Sequence, residues 1–181
     1  DIANGRRIDG HAPDIKGKEL NAYIASGVKT DHECTKVEEM LEKMSRGMYV
    51  IIREGSATRN LDTLIAGVNK ENLRRVLFCT DDKHPKNIKH EGHINYNVKS
   101  AVAHGIDPID AIIMATLNTA ECYRLNDRGA IAPGYIADIL VLGSLNDMSV
   151  KKVYKKGKLV AHEDEAKFGA RIVADSRVLN T

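Results

Sequence analysis

The chain has 181 residues, of which 43% are hydrophobic and 29% charged, with a formal net charge of +2. That balance supports a real core, and its scattered lysines and arginines exclude a dedicated nucleic-acid surface. No apolar run is long enough to cross a membrane and no signal peptide is present, so no membrane partner is expected. The three cysteines, Cys34, Cys79 and Cys122, are widely spaced and odd in number, which fits reduced thiols in a cytoplasm better than a disulfide framework.

The chain opens on Asp1-Ile2-Ala3-Asn4-Gly5, without an initiator methionine, and reads as a fragment of a longer protein. Residues 6–11 form a short strand candidate that stops at Ala12-Pro13. Residues 18–26 read as a helix with Leu20, Tyr23 and Ile24 on one face, and Gly27 stands where a left-handed terminus is needed. Residues 28–33 form the next strand. Thr35-Lys36-Val37-Glu38 has the form of a capping box, with Glu38 reaching back to Thr35. The helix behind it carries Val37, Met40, Leu41 and Met44 at helical spacing and stops at Gly47.

Residues 48–52 make a third strand that runs into Arg53-Glu54-Gly55-Ser56. Asn60 is placed to cap a helix with Leu61, Leu64, Ile65 and Val68 inward. Residues 75–80 make a fourth strand, and its run Val76-Leu77-Phe78-Cys79 does not alternate with polar residues, as expected of a strand buried on both faces. A polar loop follows. Ile94, Val98, Ala101 and Val102 then mark a helix closed by Gly105. Asp107-Pro108-Ile109-Asp110 is a strong helix start, with a cap residue, a proline in the first turn and an acid near the positive end of the dipole. That helix is expected to bury Ile109, Ile112, Ile113, Thr116 and Ala120. After Leu125 come a turn-rich stretch, a strand at residues 139–142, a hairpin of residues 150–154 and 158–161 across Lys155-Lys156-Gly157, and a charged tail from Glu163.

The first part is strand–helix repeated four times, with strand ends at His11, His32, Glu54 and Asp81, 21, 22 and 27 residues apart. Such spacing suits βα units and a parallel sheet, which presents its ligand-binding residues at the C-terminal strand ends. His11, His32 and Asp81 fall there and make a candidate divalent-metal site of two imidazoles and a carboxylate, suited to zinc, iron or manganese. A metal so held lowers the pKa of a bound water. Taken singly, each of the three reads better as a capping or core residue. Placement at neighbouring strand ends is what favours the site.

Asp81 and Glu33 are the candidate catalytic carboxylates. Neighbours in a strand point to opposite sides, so Glu33 and Asp82 also read as partners that orient His32 and Asp81, or as solvated rim charges. Arg53, Glu54, Ser56 and Asp82 are candidate substrate-binding residues, with a plain βα loop and a salt bridge the equal alternative. His84, His90, His93 and His104 sit in basic, polar surroundings and read as a solvated loop. Cys79 reads as a buried, inert thiol.

Ile8-Asp9-Gly10-His11-Ala12-Pro13, Thr30-Asp31-His32-Glu33, Ile52-Arg53-Glu54-Gly55-Ser56 and Phe78-Cys79-Thr80-Asp81-Asp82 resemble successive signatures of the bacterial-type adenine deaminases. Residues 114–120 and 129–138 resemble motifs shared across the wider amidohydrolase superfamily. The resemblance reaches to about Val160. It implies an α/β fold, the C-terminal half of a (β/α)8 TIM-type barrel (strands five to eight, residues 1–125), followed by part of a small flanking β-domain (residues 126–181).

It implies hydrolytic deamination of adenine to hypoxanthine and ammonia, with a divalent metal, manganese or iron, or zinc as a further option. The metal ligands would be His11, His32 and Asp81, and Asp81 would take the proton of the attacking water toward the leaving ammonia. The family's His-x-His pair and its acidic bridging residue have no counterpart here. A binuclear site is therefore not expected, and the chain alone should be nearly inactive. Its open sheet edges should pair with another copy or with the missing N-terminal half. The alternatives are a related cyclic amidohydrolase, of dihydroorotase or hydantoinase type, or a non-catalytic remnant serving as an assembly module.

Overall fold

Apolar runs of only a few residues can satisfy their backbone by pairing side by side once each is returned by a helix, and four such units open the chain. The structure is a computed structural model that describes residues 7–169. Strands β1 (Ile8–Gly10), β2 (Val28–Asp31), β3 (Tyr49–Arg53) and β4 (Val76–Cys79) form a parallel sheet in that order. Helices α1 (Gly17–Ala25), α2 (Val37–Ser45) and α3 (Leu61–Leu64, extended by a 3-10 turn at Ile65–Gly67) make the crossovers. Helices α4 (Pro85–Glu91), α5 (Ile94–Ala103), α6 (Pro108–Ala115) and α7 (Leu117–Tyr123) follow β4. A separate antiparallel sheet then runs β5 (Ile139–Leu142), β6 (Val150–Lys155), β7 (Lys158–His162) and β8 (Glu165–Ala166). Asp1–Arg6 and the tail after Gly169 lie outside the described residues, and with them the start of the first predicted strand.

Alternation along β3 and β4 divides the core. Val50, Ile52, Val76 and Phe78 pack with Met40, Met44, Leu61, Leu64, Val98, Ala101 and Met114 on the helix-covered face. Ile51 and Leu77 face the other way, against Cys122 of α7. The strand read as buried on both faces is so, with Val76, Leu77 and Phe78 at 0%, 1% and 6% exposure. Gly27, Gly47 and Gly105 all adopt positive φ after their helices, as the stop signals predicted. Asp107 caps α6 by accepting from the amides of Ile109 and Asp110.

Four expectations are corrected. The α2 start is not a capping box with Glu38: Glu39 is the residue whose carboxylate accepts from the Thr35 amide, at 3.2 Å. Leu41 is exposed, and the fourth inward position is taken by Lys43. The polar loop after β4 contains α4, where Pro85 supplies the first turn. The long helix from Pro108 is broken at Thr116, with φ −123° and ψ −80°. The break sets α7 so that the buried Asn118 amide donates to the carbonyls of Leu73 and Val76. With the axis changed there, Ala111 and Met114 become the buried residues of α6, and Ile109 is exposed.

Candidate active site at the strand ends

The register pairs Gly10 of β1 with Asp31 of β2, so the next residues of each, His11 and His32, leave the sheet side by side. Gly10 makes this possible: a Cβ there would lie 2.4 Å from the Thr30 carbonyl and 2.8 Å from the Tyr23 hydroxyl. That hydroxyl accepts from the His11 amide at 3.0 Å, tying the end of β1 to α1. The two imidazoles meet edge to face, 5.5 Å between centroids at 73°.

Both rings converge on one oxygen. Glu33 Oε1 lies 3.3 Å from His11 Nδ1 and 3.3 Å from His32 Nε2. The other nitrogen of His32, Nδ1, faces Asp9 Oδ2 at 3.6 Å, the carboxylate-on-histidine arrangement that orients a ligand ring. One atom from each of His11, His32 and Glu33 fits within a 4.8 Å group. Donors bound at about 2.1 Å around a tetrahedral cation lie about 3.4 Å apart, so these spacings fit a divalent ion with modest rearrangement.

Asp81 is two residues past β4, in a left-handed turn at φ +44°, a conformation that aspartate tolerates. It joins the cluster through Arg53. The Arg53 Nη1 atom donates to Glu33 Oε1 at 2.5 Å and to Asp81 Oδ2 at 3.1 Å. Burial works against the Arg53 charge, but the two carboxylates more than restore it and its pKa is raised. Arg53, predicted to bind substrate, is here the bridge between the two candidate catalytic carboxylates. Asp81 is not in the three-residue donor group itself.

The remaining predicted residues form a loop latch beside this cluster. Asp82 accepts from the amides of Ser56 and Ala57 at 3.1 and 2.9 Å, and the Ala57 amide first among several lowers its pKa. Ser56 Oγ accepts from the His84 amide and donates to Asn87 Oδ1, both at 2.8 Å. Glu54 is buried, taking the Leu61 amide at 3.3 Å and Arg59 at 3.4 Å. Desolvation leads the causes that raise its pKa.

Residues 2–160 match the Amidohydrolase family. The chain belongs to that family. Among curated proteins it is 48% identical over 162 residues to an adenine deaminase of Nitratidesulfovibrio vulgaris, covering 90% of this chain and 28% of that protein. It is 52% identical over 158 residues to an adenine deaminase of Clostridium acetobutylicum, covering 87% of this chain and 28% of the relative. The chain thus spans little more than a quarter of the length of these curated relatives. Among solved structures, a beta-aspartyl dipeptidase from Fervidobacterium islandicum AW-1 aligns with TM-score 0.67 at 16% identity, over 93% of this chain and 51% of that one. An amidohydrolase from Thermotoga maritima MSB8 aligns with TM-score 0.61 at 20% identity, over 86% of this chain and 44% of that one. At such identities the likeness concerns the fold.

In this amidohydrolase the other singled-out residues take minor places. His93 Nε2 lies 3.2 Å from the Thr80 hydroxyl, and His104 Nδ1 contacts the Ser100 carbonyl within its own turn. Burial pushes the Cys79 thiol up to about 12, which leaves it protonated and inert. Among the described residues no helix is long and apolar enough to cross a membrane. Two surface clefts, about 280 Å³ beside Leu117 and Tyr135 and about 330 Å³ beside Leu73 and Ile106, contain none of the candidate site residues.

Two groups near the site were missed from the sequence. Asp9 was read only as part of a motif. Lys43, Glu39 and Asp31 form a buried ionic cluster directly beneath the histidine loops. The i,i+4 spacing of Glu39 and Lys43 was a usable signal for the pair. Charged residues at those positions are ordinarily solvated, so the signal did not point inward.

Proposed function

We propose that this amidohydrolase takes part in the hydrolytic deamination of adenine to hypoxanthine and ammonia, with the chain supplying one portion of the active site. The observation that carries the reading is the convergence of His11 Nδ1 and His32 Nε2 on one rim of a parallel sheet, with Asp81 bound in through Arg53. It occurs in a chain about half identical to proteins named adenine deaminase. β1 to β4 are read as strands five to eight of a (β/α)8 barrel within residues 1–125. β5 to β8 are read as part of a flanking β-domain within residues 126–181. The open edges of β1 and β4 would pair with the rest of a barrel or with another copy, in a cytoplasmic enzyme.

His11 and His32 would hold a divalent cation, manganese or iron, with zinc as a further option, and Asp81 would complete the set. Such a cation, when bound, acidifies a water so that it serves as nucleophile near neutral pH. Asp81 would accept a proton from the attacking water and pass it toward the departing ammonia. Arg53 keeps the Asp81 carboxylate at the rim. Asp9 would orient the His32 ring from its Nδ1 side and leave Nε2 facing the cation. Glu33, beside the donor nitrogens of both rings, would serve with Asp81 as a catalytic carboxylate. Glu54, whose raised pKa makes its acid form more accessible than that of an ordinary glutamate, is the group to exchange a proton or hydrogen bond with the purine ring. Ser56 and Asp82 shape the pocket wall through the loop latch.

The test is ammonia release from adenine with added Mn²⁺ or Fe²⁺. Near-zero turnover is expected from this chain alone. Turnover is expected when the remainder of an adenine deaminase relative is supplied, and should be lost with His32→Ala. Clear turnover by the chain alone would show further ligands to be dispensable. Ring opening of a cyclic amide, without ammonia from adenine, would replace this substrate assignment with a dihydroorotase or hydantoinase type.

A further inference from the structure

A lysine ammonium with no exposure is expensive to bury, and Lys43 has 0%. Its three N–H donors are all used: on the Ala12 carbonyl at 2.7 Å, on Glu39 Oε1 at 2.7 Å and on Asp31 Oδ2. Burial pulls the Lys43 pKa down, and the hydrogen bonds it donates to Asp31 and Glu39 outweigh it, so the group is held as the cation. Neither acid stops at Lys43. The second oxygen of Asp31 accepts the Glu33 amide at 3.0 Å. Glu39 accepts the Asp14 amide at 2.9 Å and the Thr35 amide at 3.2 Å.

The contacts therefore fall on both loops that carry the imidazoles. Ala12 follows His11 directly and Asp14 lies two residues further. Asp31 precedes His32 directly, Glu33 follows it, and Thr35 is two beyond. One side chain from α2 links the end of β1 to the end of β2 through a network with every ammonium donor used. Apolar residues of equal volume would fill such a space at least as stably, so stability alone does not account for an ionic cluster here. What the ions add is direction: each bond fixes one backbone atom of one loop.

Asp31, Cys34 and Glu39 also form a group with metal-ligand spacing. There the positive charge is already supplied by Lys43, and burial raises the Cys34 thiol to about 12, so that group is a clamp and not a second ion site.

We infer that Lys43 is a positioning residue: through Ala12, Asp31 and Glu39 it sets the separation of His11 and His32, and thereby the affinity of the pair for a divalent cation. This rests on the proposed metal role of the two histidines. The test uses the 181-residue chain and Zn²⁺ alone, by titration calorimetry, together with amide hydrogen exchange at Asp14, Glu33 and Thr35. Lys43→Met should weaken Zn²⁺ binding roughly 10–100-fold, the usual effect of removing a support of a metal ligand, and should speed exchange at those three amides. Met114→Ala, a cavity variant on α6 that removes no bond of the clamp, should lower the melting temperature and leave both readouts unchanged.

Glu39→Gln keeps the side chain's volume and one acceptor. It should weaken Zn²⁺ binding about tenfold by the same relation, and it decides the matter if Lys43→Met does not fold. Equal Zn²⁺ affinity in wild type and either clamp variant overturns this inference and leaves the proposed function standing. Equal weakening by Met114→Ala overturns it as well, since the effect would then follow stability alone. Absence of Zn²⁺ binding in the wild type overturns the metal assignment and this inference together.

Discussion

Arg53→Met is the sharpest test of how the site is held together. Methionine keeps most of the buried stem and removes the guanidinium. Two ion pairs are lost, and they differ in worth. Arg53 and Glu33 are 7% and 13% exposed at their side chains, so their separation resembles breaking a buried pair, which costs about 3–5 kcal/mol. Glu33 keeps two imidazoles beside it, which brings the loss to roughly 2 kcal/mol on that scale. Asp81 is 41% exposed, and a pair so open to water contributes only about 0–1 kcal/mol. The sum, about 2–3 kcal/mol, corresponds to a fall of roughly 5–10 °C in melting temperature for a chain of this size.

Thermal and urea unfolding measure that loss, and double-mutant cycles apportion it. The coupling of Arg53→Met with Glu33→Gln should be near 2 kcal/mol, and with Asp81→Asn below about 1 kcal/mol. Stability within about 0.5 kcal/mol of wild type, the range of an ordinary surface change, would refute the reasoning. So would a larger coupling to Asp81 than to Glu33.

Gly55→Ala should destabilise by about 1–3 kcal/mol, as overpacking does. Its Cβ would stand 1.6 Å from Asp82 Oδ1 and 2.9 Å from the Thr80 carbonyl, and an unchanged melting temperature would show the latch to be slack. Asp107→Ala removes the acceptor of two amides at the head of α6 and should cost about 1 kcal/mol in urea unfolding. Glu91 is held down to about 2 by its hydrogen bond from Arg59 and then Asn87. Its folded pKa lies below its unfolded one, so its stabilisation is present above the ordinary glutamate range and is lost as pH falls toward 2. Glu91→Gln should flatten the fall in melting temperature between about pH 5 and pH 2, and parallel curves for the two proteins would count against the assignment.

Much of the parallel sheet was legible because its signals are local. An apolar run ending in a histidine or acid marks a strand and its C-terminal end, and the observed strands stop one residue before His11, His32 and Glu54 and two before Asp81. Glycines after helices and Asp107-Pro108 before one act within a single turn of chain. The break at Thr116 was not legible, because what aligns α7 is the Asn118 amide meeting carbonyls more than forty residues away. The inward turn of Lys43 and Glu39 was hidden for a related reason. A charged residue on an amphipathic helix is placed in water unless partners elsewhere neutralise it, and Asp31 and Ala12 belong to other units.

The amino-acid order alone determined where the four parallel strands end to within two residues, which strand ends carry imidazole or carboxylate, and the likeness to a family. Only the folded chain decided how those groups are shared out. Arg53 lies between Glu33 and Asp81, Asp82 serves the loop amides, and Lys43 joins the two histidine loops. Period and punctuation act over a few residues, and the chain carries them wherever it goes. Ionic partners are chosen by distance in space and by the water excluded around them, and both exist only after the sheet has brought its strand ends together.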